Sequence, residues 1–175
     1  MTIIKSVSVG NGDLCYIRHS SDNFTIIDCN LTGERDAEII DDIAAHSKDK
    51  GVSRFISTHP DQDHFGGIEK IDARLPIANF YVVKNSALKA DETTSFKHYC
   101  QLRDSSKAFY ISKDCKRKWM NDGDESRGSS GISILWPDTG NPYFKEALAQ
   151  CDAGEAYNNV STVIRYSLQG GATVM

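Results

Sequence analysis

Apolar and polar residues alternate through residues 3–9, the two-residue period of a half-buried strand. Gly10-Asn11-Gly12-Asp13 reads as a tight turn, and short strands follow at residues 14–17 and 24–27. The third strand runs into Asp28-Cys29-Asn30. Over residues 36–46 the period changes. Ala37, Ile39, Ile40, Ile43 and Ala44 recur at helical spacing behind acidic residues, and Gly51 is placed to stop the helix. Residues 52–57 read as a buried strand. A polar loop, residues 59–67, leads into a short helix over residues 67–71. Further strands are predicted at residues 79–83, 109–111, 132–136 and 160–168, the strand at 132–136 being stopped by Pro137. Helical character shows over residues 86–102 and 142–150. Residues 121–130 form a polar loop, Gly170-Gly171 a turn, and residues 172–175 the start of another strand.

Adjacent short strands at the start predict antiparallel hairpins, and the strand-helix-strand unit over residues 24–57 predicts a crossover connection. The expected fold class is α/β, a mixed β-sheet covered by helices, in a single domain over residues 1–175. Composition fits that picture without sharpening it: 39% hydrophobic, 25% charged, net charge -4. So mild a charge argues against a general polyanion-binding surface but leaves room for a local basic patch. Lys113, Lys116, Arg117 and Lys118 form such a cluster; it could contact a phosphate backbone, although a run this short is usually a solvated face. No apolar run approaches the ~20 residues that span a bilayer, and no secretory signal follows Met1. The five cysteines (Cys15, Cys29, Cys100, Cys115, Cys151) are widely spaced and include no C-x-x-C pair, as expected of reduced thiols in the cytoplasm.

The chemistry concentrates in His59-Pro60-Asp61-Gln62-Asp63-His64-Phe65-Gly66-Gly67. Four potential metal ligands, His59, Asp61, Asp63 and His64, fall within six residues directly after a predicted buried strand. Imidazole nitrogen and carboxylate oxygen suit zinc first, with manganese or iron as further choices. A solvated loop with a helix-capping aspartate explains any one of these residues but not the set. His98 reads as a surface helix residue, His19 and His46 as solvated, and Cys29 as buried in strand packing, though close enough in sequence to approach the ions.

The run resembles the H-x-H-x-D-H signature of the metallo-β-lactamase superfamily, with Asp61 in place of the second histidine. The resemblance implies that His59 and Asp61 hold one metal and that Asp63 and His64 hold a second. It makes Asp63 the catalytic residue that also orients the attacking water, and Asp28 a residue that orients the ligands through hydrogen bonds. Gly10-Asn11-Gly12-Asp13, the His59–Gly67 run and Asn159-Val160-Ser161-Thr162-Val163-Ile164 together resemble the hydrolase domain of bacterial DNA-uptake competence proteins and its stand-alone relatives. This implies a metal-dependent hydrolase acting through metal-activated water on a phosphodiester, in nucleic acid or a nucleotide. The alternative is a degenerate, non-catalytic binding or assembly module. The family also uses a later Asp and a final His, and no His follows His98. The expectation is therefore an N-terminal part of the fold, completed by a missing C-terminal half or by a second chain. Such a part alone is expected to bind metal weakly and to expose an apolar sheet face.

Overall fold

The computed structural model describes residues 1–20, 23–168 and 172–175. Three short strands open the chain: β1 (Ile3–Ser6), β2 (Cys15–Arg18) and β3 (Phe24–Ile27), paired antiparallel in sequence order. A two-residue strand, β4 (Cys29–Asn30), leads to α1 (Asp36–Ser47). The chain then returns as β5 (Arg54–Ser57), parallel to β3, which is the expected crossover. Two short helices, α2 (Gln62–Phe65) and α3 (Ile68–Arg74), precede β6 (Phe80–Val82). Helix α4 (Thr94–Arg103) precedes β7 (Ala108–Tyr110). The resulting mixed six-stranded sheet has the order β1-β2-β3-β5-β6-β7, antiparallel on one side and parallel on the other.

A second, antiparallel sheet of three strands contains β8 (Ile132–Trp136), β9 (Val163–Ser167) and β10 (Thr173–Val174), ordered β10-β9-β8. Helix α5 (Pro142–Asp152) and a 3-10 helix, Tyr157–Val160, lie between β8 and β9 in sequence.

Strand alternation sorts the core into two clusters. Tyr16, Ile26, Phe55 and Phe80 pack with Ile39 and Ile43 of α1, Ile68 and Ile71 of α3, and Phe96 and Tyr99 of α4. Their immediate neighbours Ile17, Ile56 and Tyr81 point the other way, to Ile132 and Ile134 of β8, Tyr166 of β9, and Phe144 and Ala147 of α5. Because both sheet faces are covered, every residue of β5 is buried.

Several boundaries differ from the sequence expectation. Helix α4 starts at Thr94 rather than near residue 86, because the Thr93 hydroxyl accepts the Phe96 N–H and caps it there. Residues 83–89 are left without helix or strand. Helix α1 closes on a left-handed Lys48, three residues before Gly51. Val160 belongs to the 3-10 helix, and β9 begins only at Val163. The expected Gly170-Gly171 turn lies outside the described residues. The outer face of the small sheet is mixed rather than apolar: Ser133 pairs with Arg165 there, beside Ser167 and the half-exposed Val163.

Candidate metal centre

The fold brings the predicted residues to the C-terminal end of the parallel strands, where loops after β3 and β5 meet. Asp28 ends β3. It is 2% exposed, and its backbone is left-handed at φ 53°, a conformation that aspartate tolerates better than most residues. That backbone turns its carboxylate onto the loop after β5. Oδ1 accepts the Thr58 N–H at 2.8 Å, and Oδ2 accepts the Thr58 hydroxyl at 2.6 Å. Oδ2 also accepts His64 Nδ1–H at 2.9 Å. Asp28 is thus the common anchor of the loop and of one imidazole.

The partners around His59 assign its tautomer. Nδ1 lies 3.0 Å from Thr58 Oγ1 and 3.1 Å from Ser161 Oγ. Thr58 already donates to Asp28, and Ser161 donates to the Asn158 carbonyl at 2.6 Å. Both hydroxyls can therefore only accept from His59, so Nδ1 carries the proton and Nε2 presents a lone pair. That Nε2 is buried and has no partner, in a residue 5% exposed. His64, tied to Asp28 at Nδ1, likewise turns Nε2 away from its tether; Asp63 Oδ1 stands 3.8 Å from it. The two rings touch, with centroids 3.9 Å apart and planes inclined by 48°.

The local charges split the pair electrostatically. Burial lowers the pKa of His59, and the neighbouring His64 adds to that; Asp28, Asp61 and Asp63 oppose it without prevailing. Burial also acts on His64, but there the hydrogen bond and charge of Asp28, with Asp63 and Asp13 behind it, outweigh burial and raise the pKa.

The two loop aspartates behave differently from the histidines. Asp61 caps α2, its Oδ1 accepting the Gln62 N–H at 2.8 Å, and the same oxygen sits 3.3 Å from Lys89 Nζ. Lys89 comes from the irregular stretch before α4. Its ammonium is largely buried, 4.0 Å from the centre of the Tyr157 ring. Asp61 is therefore engaged as a helix cap and an ion-pair partner. The Asp63 side chain is 45% exposed. Among the described residues, no three His, Cys, Asp or Glu side chains gather into a set able to hold a metal ion. The imidazole pair fits the role of metal ligand, each ring held from behind by an oxygen, as ligating histidines are. The aspartates as placed do not complete the shell.

Gly12 shapes the mouth. Its φ is 120°, and a Cβ there would collide with the Asp63 carbonyl oxygen and the Asn30 side chain, so the first hairpin turn can rest directly on the site loop. Gly67, at φ 76°, approaches the Leu31 backbone rather than the histidines. Cys29 is fully buried in the helix-side core, with its thiol pKa pushed well up by burial and then by Asp28 and Glu69, so it packs and does not face the site. His98 bonds Asp72 at 2.9 Å. The other two histidines are not solvated. His19 is buried against Thr25 and Tyr166, and His46 is half-buried between Tyr16 and the Asp42 carbonyl.

Sequence reasoning missed Thr58, Lys89 and Ser161. Ser161 had a signal, the Asn159–Ile164 stretch, and the structure seats that stretch on the loop: the Thr162 N–H donates to the Thr58 carbonyl at 3.0 Å. Lys89 had none, because its partner lies 28 residues away.

A family model for the metallo-beta-lactamase superfamily matches residues 9–98, more than half of the chain. A solved structure, a metallo beta lactamase from Hirschia baltica, is 21% identical; the match covers 78% of this chain and 54% of that one, at a TM-score of 0.41. The chain spans about half the length of that protein. No curated protein sequence matches it. Strands β2 and β3, the Asp28 anchor and the whole His59–Gly67 run fall inside the matched segment, and the chain belongs to the metallo-beta-lactamase superfamily.

Proposed function

We propose that this protein is a metal-dependent hydrolase whose ion is held first by His59 Nε2 and His64 Nε2. The observation that carries this reading is the buried, unpartnered Nε2 of His59, locked as a lone pair by two hydroxyls and lying beside an imidazole tethered in the same way. Leaving such a nitrogen dry and unpaired costs stability unless something binds it. A bound zinc, manganese or iron would supply hydroxide from water near neutral pH. The chain's own part is orientation. Asp28 fixes His64 and Thr58, Thr58 and Ser161 fix His59, and Asp63 is the exposed carboxylate beside the pair, placed to steer an incoming water.

The substrate class proposed is a phosphodiester, in nucleic acid or a nucleotide. It is supported by the likeness of the His59–Gly67 and Asn159–Ile164 stretches to competence-type hydrolase domains. A cytoplasmic location is supported by the five cysteines all being free thiols. Among the described residues no helix is long and apolar enough to cross a membrane.

One observation favours a second reading, a binding module without catalysis: Lys89 and the α2 cap occupy Asp61, the residue standing where the family signature has a ligand. Metal content separates the two. The hydrolase should purify with stoichiometric zinc or manganese that His59→Ala loses, and should turn over bis-p-nitrophenyl phosphate. Protein that takes up neither metal and stays inert with both added is the binding module.

A further inference from the structure

The opposite end of the same strand carries a different kind of site. Arg54 opens β5 and is only 5% exposed. Its Nη1 donates to Thr25 Oγ1 at 3.0 Å, and its Nη2 reaches the Trp119 carbonyl at 3.4 Å. Its Nε is buried and unpartnered. The guanidinium carbon stands 5.2 Å from the centre of the Tyr81 ring. Among the described residues no carboxylate pairs with it. A buried cation without an anion is costly, and an anion bound beside it would remove that cost.

Arg54 lines an open pocket of about 560 Å³. Lys50 also lines it, and four further cations on its wall come from a separate segment: Lys116, Arg117, Lys118 and Arg127. The rim is organised before any ligand arrives. Arg117 lies 4.6 Å over the Phe109 ring and bonds Asn79 at 3.3 Å. Arg127 and Lys118 flank Trp119, each 5.0 Å from its ring. Asp124 neutralises Lys118 at 2.7 Å, and it holds the Arg127 backbone rather than its side chain. Of the basic run noted in the sequence, Arg117 is folded inward onto a ring, while Lys118 stays exposed beside Trp119. Burial lowers the Arg54 pKa; the Tyr81 hydroxyl opposes it, while Arg127 and Arg117 push it the same way as burial, a field that a ligand's negative charge would relieve.

We infer that this pocket binds a small phosphate-bearing ligand of nucleotide size, with the Arg54 guanidinium on the phosphate and Arg117 and Arg127 closing over it. Planar guanidinium groups match phosphate oxygens in pairs, and the volume lies within the range of small-ligand sites. The pocket opens at the N-terminal ends of β5 and β6, about 15 Å along the strand from His59. It is separate from the candidate metal centre, and neither reading needs the other.

The test is calorimetric titration of the 175-residue chain with inorganic phosphate, AMP and ADP, repeated on Arg54→Met and Arg127→Gln, with thermal melts of each protein alone. Expected are one site per chain for at least one of these ligands and a loss of about tenfold or more in affinity in Arg54→Met. A smaller loss is expected in Arg127→Gln. The unliganded Arg54→Met melt should hold or rise, because an unpaired buried charge is gone. Three results overturn the proposal: no binding of any of the three at millimolar concentration, binding unchanged in Arg54→Met, or an unliganded Arg54→Met melt that falls steeply, the sign of a purely structural arginine. Binding of single-stranded DNA with none of phosphate, AMP or ADP also overturns it, in favour of an extended polyanion face. Loss of metal by His59→Ala should leave this binding untouched.

Discussion

The two ends of β5 pose the same physical problem and resolve it in opposite ways. Beyond its C-terminal end stands His59 with a buried, unpartnered Nε2; at its N-terminal end stands Arg54 with a buried, unpartnered Nε. At the histidine end the orphan atom belongs to a neutral ring whose other nitrogen is held by two hydroxyls, with Asp28, Asp61 and Asp63 close by. At the arginine end it belongs to a permanent cation among further cations, with a tyrosine ring in place of a carboxylate. The first arrangement suits a cation with an open coordination position, the second an anion. An orphaned polar atom alone is mute about its ligand; the charge of its surroundings specifies the sign.

The comparison breaks most easily at Asp28. Replacing it with alanine strands the Thr58 N–H and frees both Thr58 and His64, with an expected loss of about 4 kcal/mol in urea unfolding. Zinc affinity should fall about 100-fold in the same protein. If Asp28→Ala unfolds normally and still binds zinc like wild type, the tether is not what prepares the histidines.

Acid tests the link between the basic pocket and the core. His19 shares Thr25 Oγ1 with Arg54, and burial, with Arg54 and Arg127 adding to it, lowers its pKa to about 4. Unfolded, it titrates near 6.5. Between these values the unfolded chain binds a proton that the folded one refuses, so this contribution is complete above pH 6.5 and fades as pH falls toward 4. The decline approaches about 3 kcal/mol. His19→Gln should flatten it, which denaturant midpoints at pH 7, 5.5 and 4 would reveal; an unchanged slope removes His19 from the account.

Asp61 gives a smaller effect. As a cap and a partner of Lys89 it should cost about 1 kcal/mol on replacement by alanine, while zinc affinity changes less than about threefold, against the loss expected in His59→Ala. A loss as large as that of His59→Ala would make Asp61 a ligand after all. Smallest is Arg54→Met, whose melting temperature should stay or rise.

The site was more legible in the sequence than its surroundings were. The run from His59 to His64 announces itself because its ligand-type residues are neighbours in sequence, and Asp28 because it ends a strand whose alternation is readable. What stayed hidden depends on distance in the chain. Lys89 meets Asp61 and Arg54 meets Trp119 only through the fold, and nothing in the spacing of the basic run says that Arg117 turns onto the Phe109 ring while Lys113, Lys116 and Lys118 stay exposed. His19 was misjudged for the same reason: in sequence it precedes a polar turn, while in space β9 covers it with Tyr166. Helical and strand periods were read correctly in most places, but caps such as Thr93 set their ends.

The left-handed backbone at Asp28 has a consequence for what relatives of this chain can carry. At φ 53° with 2% exposure, glycine and asparagine are the residues that keep the main chain at ease. Asparagine also retains an oxygen for Thr58 or His64. Glutamate, which similarity tables rank as a mild exchange for aspartate, adds a methylene in a space without room and on a residue with little taste for that conformation. Across homologues this position should therefore drift toward Asn or Gly when the site decays, and almost never toward Glu.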